Sequence, residues 1–420
     1  MKKNILLSLV MFISVTCLMS QQAFAEDEYI QDSWTFDQGK TETNSGVAVD
    51  SQGNIYVAST MTTATGDPVV SDNYIIKYDQ TGTIHWIRNF PFDGGQLARI
   101  TAIAVDGSDN VIATGTVQGP IFMDCLTVKY NAGGDLVWSR YYSNNDFWGN
   151  DQGLDVAVDS AGTIYVAGKS YVDTTYWNYT GFVIKWSESG FFMGSVVNNK
   201  SLSGAGNENR VVTIDGNDNV YVLNYTQVPE QAYNILKYNS ELVSLTYPNN
   251  IAQTMAISNP VDITADSAGN LILAGRTRRV DIMDGVEKNY HDFIKLNASG
   301  EFQCGRQELF ANPSGYEDQY DGYEGVTTDA AGNIYLAGTD QTHFITIKFD
   351  SNCISAWGEY PVTPDYKLWK DSVWQALGNA IAVDANENIY VTGDTYIKYD
   401  RKNSNLPMWN VSTVQYRKIN

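Results

Sequence analysis

The chain has 420 residues, with 27 Lys and Arg against 48 Asp and Glu, a formal charge of −21. So acidic a chain is a poor match for nucleic acid or an anionic bilayer, and leaves cations, cationic proteins and neutral glycans as compatible partners. Four cysteines and three histidines argue against a disulfide framework, and they show no zinc-type Cys/His spacing.

Read in chain order, the sequence begins Met1-Lys2-Lys3, runs apolar from Ile5 to Met19, and reaches Ala23-Phe24-Ala25. A positive head, a short apolar run and a small-x-small site predict a secretory signal peptide over residues 1–25. The run is short for a membrane span, and the acidic Glu26-Asp27-Glu28 follows at once. Cys17 raises a lipoprotein as the alternative, but Ser14-Val15-Thr16 lacks the leucine and the small residue of such sites. Cleavage would leave 395 residues, 26–420, carrying −23. They are expected to form a single domain, exported to the periplasm or beyond. No later apolar stretch is long enough for membrane insertion.

From Gly46 a unit repeats. Gly46-Val-Ala-Val-Asp50-Ser-Gln-Gly53-Asn54-Ile-Tyr-Val-Ala58 recurs seven times, with its aspartate at Asp50, Asp106, Asp159, Asp215, Asp266, Asp329 and Asp384. The steps are 56, 53, 56, 51, 63 and 55 residues. A second signature, Tyr74-Ile-Ile-Lys77-Tyr78-Asp79-Gln-Thr-Gly82-Thr-Ile-His-Trp86, follows each copy, its lysine recurring at Lys129, Lys185, Lys237, Lys295, Lys348 and Lys398. Each unit reads as four strands rich in β-branched and aromatic residues, and no useful amphipathic helix pattern intervenes. A fixed period of this length, in units that cannot bury their own faces, predicts an all-β, seven-bladed β-propeller of four-stranded antiparallel blades, its ring closed by terminal strands.

The turn Asp-x-x-Gly-Asn is a tight hairpin: the aspartate side chain can bond backbone amides, and Gly53, Gly162, Gly269 and Gly332 supply a positive φ. Asp109, Asp218 and Glu387 stand there in the other units. The seven aspartates are therefore read as turn formers and not as a ring of ligands. Trp86, Trp138, Trp357 and Trp409 mark fourth strands, with Gly194, Thr246 and Cys304 in the remaining units; a ring at one repeat position is expected to dock on the adjacent blade. The recurring lysines are expected to be structural, each bonded to turn carbonyls or an aspartate, worth on the order of 1 kcal/mol if half-buried.

The Val-Asp-x-x-Gly-Asn-Ile-Tyr-Val-x-Gly and Lys-Tyr-Asp-x-x-Gly-x-x-x-Trp signatures resemble the bacterial seven-bladed β-propeller repeat family found in many exported proteins. The Gly-x-x-x-Trp half is similar to the docking motif of quinoprotein-like propellers, although no quinone-site residue maps onto this chain. The resemblance covers nearly the whole of residues 26–420 and implies a fold without implying one activity.

Short, uniform turns lie on one face; the uneven loops between second and third strands and between blades lie on the other, where binding is expected. Two clusters stand out there. Tyr316, Glu317, Asp318, Tyr320, Asp321, Tyr323 and Glu324 interleave aromatics with carboxylates, which suits a glycan or a cation, beside the plain reading of a solvated acidic loop. No cofactor is expected; calcium would suit these carboxylates, but they lack the glycine and spacing of an EF-hand loop. Arg276-Thr-Arg278-Arg279 either grips a carboxylate or balances that loop.

His85 is read as structural, while His291 and His343 open the third strands of blades five and six. With Asp318 or Asp321 they would hold a metal or serve acid–base chemistry, as a secreted lyase or hydrolase needs. No nucleophile-elbow, zinc-protease or phosphate-loop motif occurs. The favoured reading is thus a non-enzymatic binding or scaffolding propeller that presents its long-loop face to a protein or polysaccharide. The alternative is a carbohydrate-active enzyme. Two further expectations concern covalent and terminal structure. Cys125, Cys304 and Cys353 stand in separate repeat positions and are expected to be free thiols. Residues 32–37 are expected to close the ring by pairing with 396–399, leaving the C-terminal segment outside.

Overall fold

The computed structural model describes residues 29–36, 41–62, 71–90, 98–119, 122–144, 149–171, 178–198, 206–227, 232–247, 257, 259–280, 287–308, 322–339, 344–357, 375–399 and 407–418. The expected signal peptide lies outside them. They hold 28 strands in seven four-stranded antiparallel sheets, and no helix. Each innermost strand packs beside the next, and that of the seventh sheet packs beside Thr41–Val49 of the first, so the blades form a closed ring. The second strands are buried on both faces: Ile55, Tyr56, Val57 and Ala58 are fully covered. Such unbroken apolar runs are what a strand between two neighbouring blades requires. Burying each large side chain contributes about 1.5–3 kcal/mol.

The turn chemistry follows the repeat. Asp50 Oδ1 accepts the N–H groups of Gln52 and Asn54 at 3.0 and 2.8 Å, and its Oδ2 accepts from the Tyr56 hydroxyl at 2.9 Å. Position 53 needs a left-handed backbone, and Gly53 has φ 75°. Asp109, Asp218 and Glu387 adopt the same conformation at its equivalents. Lys77, Lys129, Lys237 and Lys295 bond a turn carbonyl or an aspartate as expected, and the carbonyl belongs to the next blade. Lys77 Nζ lies 3.4 Å from Asp50 and donates to the Ala132 carbonyl of the next blade at 3.1 Å. Trp86 Nε1 donates to the same carbonyl at 3.2 Å, and its ring covers Gly134, where a Cβ would come within 2.9 Å of the indole. Trp138 repeats this on Glu188 and Gly190 of blade three.

That docking overturns the expectation of three free thiols. Cys304 and Cys353 form a disulfide with a Cα separation of 6.0 Å, and among the described residues Cys125 is left free, and buried. Cys304 occupies the tryptophan position of blade five and Cys353 the turn-glycine position of blade six. An outer strand lies on the turn of the following blade, so two positions far apart within the repeat meet across the junction.

Ring closure also departs from expectation. Residues Tyr29–Phe36 do form the outermost strand of the last blade, but they pair with Pro407–Lys418, Trp34 opposite Thr413. Pro407–Lys418 lies inside the sheet, between Tyr29–Phe36 and Ile389–Tyr399. Tyr396 and Lys398 continue the second strand instead of forming the third. Gln415 stands opposite Tyr390 where Lys77 stands opposite Tyr56. Without a lysine the true third strand was concealed, and Tyr396-Ile-Lys-Tyr-Asp400 imitated it.

Candidate binding site at the channel mouth

Seven bulges shape the end of the channel. In every blade the pairing of the innermost strand with the second slips by one residue, leaving Ser45, Thr101, Leu154, Arg210, Val261, Glu324 or Asn379 outside the ladder. A bulge bends its strand and re-aims the extra side chain. Each of these residues stands five positions before the turn aspartate of its own blade. All but Val261 line one cavity of about 580 Å³. The cavity opens at the strand ends that carry the uneven loops, the face on which binding was expected.

A second column stands ten positions after the same aspartate: Thr60, Thr116, Lys169, Tyr225, Arg276, Thr339 and Asp394. Three of its members reach across to the next blade. Lys169 Nζ donates to Glu208 Oε2 at 2.8 Å, Arg276 bonds Glu324, and Asp394 Oδ1 accepts the Asn44 N–H at 2.6 Å. These contacts hold the mouth in one shape.

The junction of blades three and four is the most elaborate. Glu208 is buried and takes Lys169 on one oxygen and Arg210 Nε on the other, at 2.8 and 2.5 Å. Burial pushes its pKa up, but the hydrogen bonds and charges of Lys169 and Arg210 outweigh this and hold the carboxyl below its ordinary range. The Arg210 guanidinium lies 4.2 Å over the Tyr225 ring and donates through Nη1 to the Tyr233 hydroxyl at 3.1 Å. Lys169 Nζ lies 4.9 Å from the Tyr179 ring centre. Rings and carboxylate together fix both cations while leaving them partly open to the cavity. Arg99, on blade two, is exposed, and none of the described carboxylates lies within ion-pair distance of it. The lining thus sets Arg99, Lys169 and Arg210 against Glu208 and Glu324, a positive excess in a chain of charge −21.

Deeper in the wall, carboxylates serve the backbone. Asp155 Oδ2 accepts the Val212 N–H and Asp262 Oδ2 the Val326 N–H, both at 2.8 Å and both across a blade junction. Burial raises their pKa values to about 6 and about 7. Burial likewise raises Asp394 to about 7, against the bonds from Asn44 and Asn379 and the charge of Arg99. On the opposite face, a cavity of about 420 Å³ lies beside Cys304, but the Asp266–Lys295 pair in its wall is closed at 3.1 Å.

Of the residues singled out from sequence, Tyr316, Glu317, Asp318, Tyr320, Asp321 and His343 lie outside the described residues. His291 stands in the third strand of blade five, opposite Arg276. Tyr323 is fully buried in the hydrophobic core between blades five and six. Glu324 is a bulge residue of the mouth, bonded to Arg276. Among the described residues no group of three His, Cys, Asp or Glu side chains could hold a metal ion. Sequence reading passed over Arg99, Lys169, Glu208 and Arg210. Their signal was positional: each stands at a fixed distance from the turn aspartate of its blade, Arg99 and Glu208 seven before it, Arg210 five before and Lys169 ten after, at positions where the repeat keeps no one residue type.

The chain matches no protein-family profile and no curated protein. Solved structures resemble it in shape. A Dyadobacter fermentans protein of unknown function is 8% identical, with a TM-score of 0.50, over 92% of this chain and 98% of that one. Sqt1 from Chaetomium thermophilum is 10% identical, with a TM-score of 0.50, over 94% and 100%. The polysaccharide lyase Uly1 is 8% identical, with a TM-score of 0.50, over 90% of each chain. Likeness at these identities is one of fold. The protein is a seven-bladed β-propeller with a built polar mouth at one end of its channel.

Proposed function

We propose that the chain is an exported binding propeller of the bacterial repeat type, and that its channel mouth takes an anionic group presented by a polysaccharide or a protein. The observation that carries this reading is the cation set Arg99, Lys169 and Arg210, gathered at one cavity of an otherwise acidic chain. Export is supported by the signal-like N-terminus and by a disulfide, which persists in oxidising compartments. Propellers of this shape include Sqt1, solved with the N-terminus of ribosomal protein L10, and a polysaccharide lyase, so the scaffold suits either partner. Binding is favoured over catalysis because the carboxylates lining the described mouth are already paired, Glu208 with Lys169 and Arg210 and Glu324 with Arg276. Asp155 and Asp262 are taken up by backbone N–H groups.

The test is calorimetric titration of residues 26–420 with anionic and neutral polysaccharides at two salt concentrations. Binding confined to anions, weakened by salt and by Arg99→Gln, is expected. Equal binding of neutral polymers, or release of cleaved product, would overturn the reading.

A further inference from the structure

Resting on that reading of the mouth, we infer that its ligand is an acidic sugar, held by its carboxylate on the arc formed by blades two to four. Two sets of groups meet at this end of the cavity, from blades one to four, and one ligand chemistry satisfies both. The first set grips an anion. Arg210 uses Nε on Glu208 and one Nη1 hydrogen on Tyr233, and its Nη2 makes no hydrogen bond to any described residue. The planar fork left facing the cavity matches the two oxygens of a carboxylate. Lys169 bonds only Glu208 among the described residues, so two ammonium hydrogens remain. Glu208 neutralises one of these two charges, and Arg99 adds another from the neighbouring blade.

The second set is neutral. Ser45, Thr116 and Gln152 line the same cavity from blades one, two and three. Their side chains make no hydrogen bond to a described residue, in a wall where most polar side chains are engaged. Three unengaged hydroxyl and amide groups beside a carboxylate grip ask for a ligand that carries several hydroxyls next to one carboxylate. Leu154, the bulge residue of blade three, lines the same cavity and offers an apolar contact for the C–H face of a sugar ring. An acidic peptide supplies the anion, but its carboxylate stands on a side chain away from the backbone amides, whereas a sugar acid carries hydroxyls on the carbons next to its carboxylate, matching the spacing of the two sets.

The experiment titrates residues 26–420 with an oligogalacturonate, with the same oligomer after reduction of its carboxyls to alcohols, with a sulfated neutral oligosaccharide and with oligoglutamate. The oligogalacturonate is expected to bind, and carboxyl reduction to weaken it about tenfold or more. Arg99→Gln and Gln152→Ala, both at positions open to the cavity, are each expected to weaken it by about three- to tenfold with the melting temperature unchanged. Arg210→Lys, which keeps the charge and loses the fork, should weaken the oligouronate more than the sulfated oligomer. Oligoglutamate binding as tightly as the oligouronate would overturn the sugar and leave the anion mouth standing. Equal binding of the sulfated oligomer would overturn the preference for a carboxylate. Failure of every anion would overturn the mouth itself.

Discussion

Cys304 of blade five is bonded to Cys353 of blade six at the junction position where, between blades one and two, Trp86 covers Gly134. One contact of the repeat has therefore been kept in place and changed in kind. A ring lying on a turn is replaced by a covalent link across 49 residues.

Loss of this link frees the unfolded chain more than it disturbs the fold. Cys304→Ser with Cys353→Ser is expected to lower stability by about 2–4 kcal/mol, measured by denaturant unfolding with and without reductant. Thiol titration of unfolded, unreduced residues 26–420 should return one thiol, that of Cys125. Three would show that the bridge does not form.

Lys129 Nζ lies 2.8 Å from Asp106 Oδ2, and each side chain is only 3% exposed. The pair is more deeply buried than the repeat alone suggested, and the expected cost of breaking it rises accordingly. Lys129→Met would strand a buried carboxylate and should cost about 3–5 kcal/mol. Lys237, which donates to the Ala298 carbonyl in an exposed setting, should tolerate the same change for about 1 kcal/mol. Asp106→Asn added to Lys129→Met should recover much of the loss. Equal melting temperatures for the two single variants would sink the argument.

Sequence periodicity carried the architecture because each blade must solve the same packing problem. Asp50, Gly53 and Lys77 recur, since a hairpin and a junction demand those chemistries every time. The mouth obeys the opposite rule. Its position is fixed by a bulge that every blade shares, but its residue is free, so Ser45, Leu154, Arg210 and Glu324 share a register and no chemistry. A search for recurrent residues passes over such a column. The disulfide was hidden for a related reason: Cys304 and Cys353 replace a tryptophan and a glycine, and their meeting is visible only once blade is laid on blade.

Closure of the ring makes the two termini unequal. Pro407–Lys418 pairs on both sides, with Ile389–Tyr399 and with Tyr29–Phe36, whereas Tyr29–Phe36 pairs on one. Removing residues 407–420 deletes an interior strand and leaves Tyr29–Phe36 without its partner, so cooperative unfolding should be lost. Removing residues 26–36 exposes one edge and should only lower the melting temperature, with the single transition retained. The opposite ranking in thermal unfolding would place the N-terminal strand inside the blade.

The last expectation concerns pH. Asp262 lies in the channel wall, accepting backbone N–H groups from Val326 and Ile263 at 2.8 Å, and it feels the charges of Asp155 and Glu324. Burial is the chief cause of its rise to about 7, and the Asp155 charge adds to it. Asp155 itself is raised to about 6, and Asp394 to about 7. All three stand above the ordinary aspartate value near 3.8, so between about pH 4 and 7 the folded chain holds more protons than the unfolded one. Stability from these groups is then fully present below that window and falls as pH rises through it. Asp50, Asp106 and Asp266 oppose this at lower pH. Their carboxyls are buried, but hydrogen bonds and lysine charges hold them below the ordinary range, and their contribution is lost as acid protonates them. Maximum stability from these groups is therefore expected near about pH 4. Asp262→Asn removes one buried charge and should raise stability by about 1–2 kcal/mol more at pH 8 than at pH 5. Melting temperatures of the two proteins across pH 4–8 decide it. A wild-type curve that climbs from pH 5 to 8, or a gain from Asp262→Asn that is equal at both ends, would show that these carboxyls titrate in the ordinary range.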